Sequence, residues 1–129
     1  MSALPRAEYA TRSQSLSVFV LEDETLIRMM IVQMLEELRH RVVVEAGSLR
    51  EAIALAATAD FDLALLDLNV AGDTSNDVAM IVDRRGLPVL FVSGYTSTGL
   101  PPPFNGRSVL QKPFREHDLR TAIDRLLGS

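Results

Sequence analysis

Phe61-Asp62-Leu63-Ala64-Leu65-Leu66-Asp67-Leu68-Asn69 is the stretch that decides the fold. The unbroken aliphatic run 63–66 suits a strand buried on both faces, and such strands belong to parallel sheets covered by helices on either side. The aspartate that follows stands where a buried strand reaches its rim, the place at which open α/β sheets put their chemistry. Outward from this run, short aliphatic or β-branched segments recur at 16–21, 42–45, 89–92 and 108–110, so five doubly buried strands are expected.

The intervals between the strands carry helical periodicity. Leu26, Ile27, Met30, Ile31, Met34, Leu35 and Leu38 recur at helical spacing, with Arg39, His40 and Arg41 placing positive charge at the helix C-terminus. Met29, Met30 and Met34 read as core filler on that face, and His40 and His117 as helix-end residues. Ser48-Leu49-Arg50-Glu51 has the form of a capping box and opens a second helix that runs to about Thr58. Residues 75–85 form a third, stopped by Gly86 and Pro88. Leu119, Ala122, Ile123, Leu126 and Leu127 share one face of a last helix over about 116–127. Residues 96–107 break the alternation: Pro101, Pro102 and Pro103 lack amide donors, so a loop with a short or absent fourth helix is expected there. The alternation predicts a doubly wound α/β domain with a five-stranded parallel sheet in the order 2-1-3-4-5 and its site outside the strand C-termini.

Bulk properties narrow the function. The chain has 129 residues, 47% of them hydrophobic, which suits one domain at 16–129 after a flexible extension at 1–15. It has no cysteine, so a disulfide frame, a thiolate metal site and a cysteine nucleophile are all excluded. Residues 1–15 lack a continuous apolar core and read as neither signal peptide nor membrane anchor, which points to the cytoplasm. With 13 basic against 17 acidic side chains and a net charge of −4, the chain has no overall attraction for nucleic acid or anionic lipid.

The strand ends bring chemistry-bearing residues to one rim: Glu22 and Asp23 after the first strand, Asp67 after the third, Ser93 after the fourth and Lys112 after the fifth. Three converging carboxylates repel, and a divalent cation together with a lysine removes the conflict. Mg2+ takes oxygen ligands in octahedral geometry and keeps several waters. Asp23, Asp67, the backbone carbonyl near Asn69 and water would hold it, with Glu22 assisting through water. A carboxylate beside such an ion suits attack on a phosphoryl group. The three phosphoryl oxygens would then be met by Mg2+, by the Lys112 ammonium, and by the Ser93 hydroxyl with nearby amides.

Leu21-Glu22-Asp23-Glu24, Leu65-Leu66-Asp67-Leu68-Asn69, Val92-Ser93-Gly94 and Gln111-Lys112-Pro113-Phe114 occur in order at the strand ends. With these motifs residues 17–128 resemble the receiver domain of two-component response regulators, the CheY-like superfamily with its flavodoxin-like fold. The resemblance implies that Asp67 accepts a phosphoryl group from a histidine kinase or histidine phosphotransfer protein, with Mg2+ as cofactor and a cis Lys112-Pro113 bond. It implies a phosphoacceptor and not an enzyme, a monomer or weak dimer signalling through protein partners without an attached output domain. Val109 stands three residues before Lys112, where typical receivers carry an aromatic switch. That feature, Phe91-Val92-Ser93-Gly94-Tyr95 and the proline-rich loop are similar to the FAT GUY subgroup, in which output would run through the segment after the fourth strand, with Ser93 and Tyr95 as switch candidates.

Other readings stand beside this one. Glu22 and Asp23 can cap the first helix, Ser93 can be a turn hydroxyl, Lys112 a surface charge and Tyr95 a packing residue. A phosphate sink or shuttle would use the same site without output, and a degenerate receiver would only bind. An aspartyl-nucleophile phosphatase would need a general acid two residues after Asp67, where Asn69 stands. Arg28 and Gln33 are expected on the surface of the first helix, where kinase choice would be made.

Overall fold

The computed structural model describes residues 15–94 and 109–128. In chain order the elements are β1 (Ser17–Leu21), α1 (Thr25–Glu37), β2 (Arg41–Ala46), α2 (Leu49–Thr58), β3 (Leu63–Asp67), β4 (Asn69–Val70), β5 (Asp73–Thr74), α3 (Asn76–Arg84), β6 (Val89–Ser93), β7 (Val109–Gln111) and α4 (Glu116–Leu126). Five strands form one parallel sheet in the order β2-β1-β3-β6-β7, and β4 pairs with β5 as a separate antiparallel hairpin. Since β6 and β7 are the fourth and fifth strands of the main sheet, this is the 2-1-3-4-5 order of the flavodoxin-like fold. The expected extension at 1–15 and the expected loop at 96–107 fall almost wholly or wholly outside the described residues, as does Tyr95.

The sheet separates two apolar layers. Phe19, Leu21, Ala64, Leu66 and Phe91 face α2 and α3, while Val18, Val20, Leu63, Leu65 and Val92 face α1 and α4. Each fully buried leucine of β3 contributes about 1.5–3 kcal/mol relative to exposure, so the strand that ends in Asp67 is a firm platform. Burial on both faces holds for β1, β3 and β6 but not for β2, which lies at the sheet edge with Val43 44% exposed. Its alternating burial corrects the expectation of five doubly buried strands.

The methionine reading is also corrected. Met29 and Met30 are 60% and 54% exposed, and Leu26 is 74% exposed. Ile31 and Leu35 are the fully buried residues of α1, with Ile27, Met34 and Leu38 packed partly against them. At 3.6 residues per turn, the residues just before Ile31 are turned away from the layer it joins. The start of α2 carries the expected cap: Ser48 Oγ accepts from the Glu51 N–H at 3.3 Å. Glu51 Oε1 reaches back to the Gly47 N–H at 3.0 Å, one residue further than in the usual capping box.

The hairpin is an addition to the expected architecture. Ala71 and Gly72 at its tip have φ of 51° and 90°, the pair of positive angles that a two-residue turn of right-handed twist requires. Ser75 N–H donates to the Leu68 carbonyl at 2.9 Å, closing the loop between β3 and α3 over the end of the sheet.

Candidate functional site

The C-terminal ends of the parallel strands bring the expected residues together. Asp67 closes β3 and is 5% exposed, Glu22 follows β1 and is fully buried, Ser93 closes β6 at 2%, and Lys112 follows β7. Backbone pairing fixes this rim beyond the strands themselves: Glu22 N–H donates to the Ala46 carbonyl, Leu68 N–H to Val92, and Lys112 N–H to Ser93. The positions are therefore consequences of sheet register.

Lys112 Nζ lies 2.8 Å from Glu22 Oε1 and 3.2 Å from Asp67 Oδ2, so one ammonium serves two buried carboxylates. The Glu22 contact joins the ammonium to a fully buried carboxylate. Glu22 Oε2 accepts from the Glu24 N–H at 3.0 Å. Asp23 Oδ2 accepts from the Ala71 N–H at 3.0 Å, tying the first turn of the rim to the tip of the β4–β5 hairpin. Ser93 Oγ donates to the Gly94 carbonyl at 3.1 Å.

Burial raises the pKa of Asp67 above its ordinary value, against the opposing pull of Lys112 and the Asn69 amide. Burial likewise raises Glu22, with Lys112 and the Glu24 amide opposing. For Lys112 burial acts downward, but the bond to Glu22 and the charge of Asp67 outweigh it and leave its pKa raised. Three carboxylates against one ammonium leave the rim short of positive charge.

One oxygen from each of Glu22, Asp23 and Asp67 falls within a sphere of mutual separation below 4.8 Å. An all-oxygen donor set with uncompensated negative charge suits a hard dication such as Mg2+, and no nitrogen or sulfur ligand is needed. Such an ion would supply positive charge to a phosphoryl oxygen. The residues themselves present a nearly buried carboxylate, an ammonium and a hydroxyl at one rim.

Beside this rim runs an apolar groove of about 120 Å³ whose lining includes Ile27, Met30, Met34, Pro113, Phe114 and Lys112 itself. The Lys112-Pro113 bond is cis, as the resemblance implies. Two site contributors had no signal among the side-chain motifs. Ala71 acts through its backbone amide, which donates to Asp23 Oδ2. Arg28, expected to be a free surface residue, is instead half-buried and donates from Nη1 to the Glu22 carbonyl at 2.7 Å. Gln33 is exposed as expected.

A flavodoxin-like sheet with carboxylates and one lysine at the strand C-termini defines a class, and comparison with known proteins identifies the family. Residues 18–124 match the response regulator receiver domain, and the chain belongs to that family. It is similar to the transcriptional regulatory protein PdtaR of Mycobacterium tuberculosis, with 32% identity over 111 residues that cover 83% of this chain and 54% of that protein. The solution structure of SdrG from Sphingomonas melonis matches with a TM-score of 0.78 at 32% identity, over 88% of this chain and 97% of that one. The response regulator PhyR from Brucella abortus matches with a TM-score of 0.76 at 29% identity, over 96% of this chain and 53% of that one. The chain spans about half the length of the curated relatives it matches. Among the described residues, no helix is long and apolar enough to cross a membrane.

Proposed function

We propose that Asp67 is the phosphoacceptor of a cytoplasmic two-component phosphorelay, receiving its phosphoryl group from a histidine kinase or histidine phosphotransfer protein. The observation that carries this reading is the placement of Asp67. Its carboxylate ends the central strand, nearly buried, 3.2 Å from the Lys112 ammonium and grouped with the oxygens of Glu22 and Asp23. An Asp67 oxygen attacks phosphorus, the O–P bond forms as the N–P bond of the phosphohistidine breaks, and the electron pair and then a proton go to the leaving imidazole. Asp23, Asp67 and the Asn69 carbonyl would hold Mg2+, with Glu22 assisting through water. Lys112 and Ser93 meet the transferred oxygens.

The partner would dock across the exposed apolar residues of α1, Leu26, Met29 and Met30, which adjoin the groove beside Lys112. Output would be a change in protein–protein affinity, not binding to nucleic acid, and the chain would act as a monomer or weak dimer. Val109 is half-buried against the core layer that contains Phe91. An aliphatic residue there has no ring to swing, which favours output through the segment after β6, with Ser93 and Tyr95 as its switch, as in the FAT GUY subgroup. The same site would serve a phosphate sink. Phosphatase turnover is disfavoured because the Asn69 amide cannot supply the general-acid proton.

Incubating the protein with Mg2+ and a small-molecule phosphodonor should give a single phosphoryl adduct by intact mass, absent in Asp67→Ala and without Mg2+. An adduct that persists in Asp67→Ala refutes the assignment.

A further inference from the structure

The Glu22 carbonyl is the first acceptor beyond β1 that the sheet does not use. Glu22 N–H still pairs with Ala46 of β2. Its carbonyl is taken by a side chain, Arg28 Nη1 at 2.7 Å. The other side of the same guanidinium, Nε, sits 3.3 Å from Glu45 Oε1 on β2. Arg28 lies on the first turns of α1, so it ties three elements together at the point where the acidic turn begins.

This carbonyl belongs to the peptide unit that joins Glu22 to Asp23. A peptide unit is planar, so fixing its oxygen also fixes the amide of Asp23 and the position of the Asp23 Cα from which its side chain departs. The other side-chain hydrogen bonds of the turn are Glu24 N–H to Glu22 Oε2 at 3.0 Å and Ala71 N–H to Asp23 Oδ2 at 3.0 Å, while the Glu22 carboxylate is also paired with Lys112. The bond from Arg28 carries a full charge and is the shortest of the three, as expected for a charge-assisted donor.

Gly47 makes room for this arrangement. A Cβ built on it would stand 2.7 Å from Arg28 Nη1, 3.5 Å from Cζ and 3.8 Å from Nη2, so its three nearest neighbours all belong to that one guanidinium. Its backbone does not occupy the left-handed region, so conformational freedom does not account for the glycine at this position. The empty Cβ position is where the guanidinium lies.

We infer that Arg28 is a positioning residue: through the Glu22 carbonyl it sets the aim of the Glu22 and Asp23 carboxylates, and Glu45 and Gly47 hold it in place. It touches neither the transferred group nor the ion. The inference rests on the proposal that these carboxylates hold Mg2+.

The test is isothermal titration with Mg2+ alone on the full chain, alongside metal-free thermal melts and amide shifts of Asp23 and Ala71. Arg28→Ala should weaken Mg2+ binding about tenfold, the scale of losing a residue that orients metal ligands. Gly47→Ala should do the same while keeping the positive charge, because the new methyl displaces only the end of a flexible side chain. Both should move the Asp23 and Ala71 amides in the metal-free protein, which a change in global stability alone would not do. Arg28→Lys should stay weak, since a lysine lacks the planar fork whose Nη1 and Nε reach the Glu22 carbonyl and the Glu45 carboxylate from opposite sides. Full recovery in Arg28→Lys would assign the effect to charge and overturn the clamp. Unchanged affinity in Arg28→Ala, with Asp23→Asn still abolishing binding, overturns this inference alone. A wild-type chain that binds no Mg2+ overturns the phosphoacceptor reading as well as the clamp.

Discussion

Asp67 is held between opposed demands, because the burial that shields its carboxylate from water also disfavours its charge. Lys112 offsets this only in part, since it is shared with Glu22, and both carboxyls stay above their ordinary values of 3.8 and 4.5 through desolvation. For an acid whose pKa is raised on folding, the folded state binds the proton more tightly. The resulting stability is fully present below the ordinary value and is lost as pH rises through the raised one. In Mg2+-free buffer the protein should therefore lose stability as pH climbs from about 4 through that interval. Asp67→Asn should flatten this part of the profile and raise stability at neutral pH by about 1 kcal/mol. Mg2+ should stabilise wild type far more than the variant, because it binds the ionised folded form. Thermal melts across pH, with and without Mg2+, check all three; an Asp67→Asn profile parallel to wild type would mean that the rim tolerates its charge by some other means.

Helix α2 shows how local chemistry and sheet position join at the scale of an element. Ser48 accepts from Glu51 while Glu51 returns to Gly47, so the cap anchors the helix directly to the end of β2. Ser48→Ala should cost about 1 kcal/mol, read as a lower midpoint in chemical denaturation with an unchanged slope. A loss far beyond this would mean that Ser48 also supports the neighbouring Gly47 turn. That cap was legible because a serine and a glutamate three residues apart carry the signal in their side chains. The runs of β3 and β6 were legible for a related reason: burial on both faces demands continuous apolar residues, and Leu63 to Leu66 satisfy it. Val43 was misread because nothing local distinguishes an edge strand from a central one. Met29 and Met30 were misread because seven apolar residues on α1 exceed what one face can bury, and only packing shows that Ile31 and Leu35 are the inner ones. The β4–β5 hairpin has two residues per strand, too few for a period, and Arg28 escaped because its partner is a carbonyl oxygen. At the rim, Asp67, Glu22, Asp23, Ser93 and Lys112 were visible as polar residues ending apolar runs, whereas the Ala71 amide has no side chain to announce it.

Taken whole, the molecule puts two unlike surfaces side by side. The rim is acidic and largely buried. Next to it, α1 exposes Leu26, Met29 and Met30, which the domain does not use for its own core. Apolar side chains left uncovered near a site need an occupant to remove them from water, and a protein carrying a phosphohistidine would bring one when its imidazole approaches Asp67. A small phosphodonor reaches the carboxylate without covering α1. The two donors should therefore separate the surfaces. Met30→Glu places a charge at the mouth of the groove beside Pro113 and Phe114, where a docked helix would have to desolvate it. Phosphotransfer from a phosphorylated histidine phosphotransfer protein should slow by about tenfold or more, the cost of a charge at the centre of an apolar contact. Phosphorylation by the small donor should proceed at the wild-type rate, since the bonds and ion pairs given above for Asp67 and the acidic turn come from other residues. Equal slowing with both donors would trace the effect to the rim through Lys112. Equal rates with the protein donor, wild type against variant, would place docking on another face of the domain.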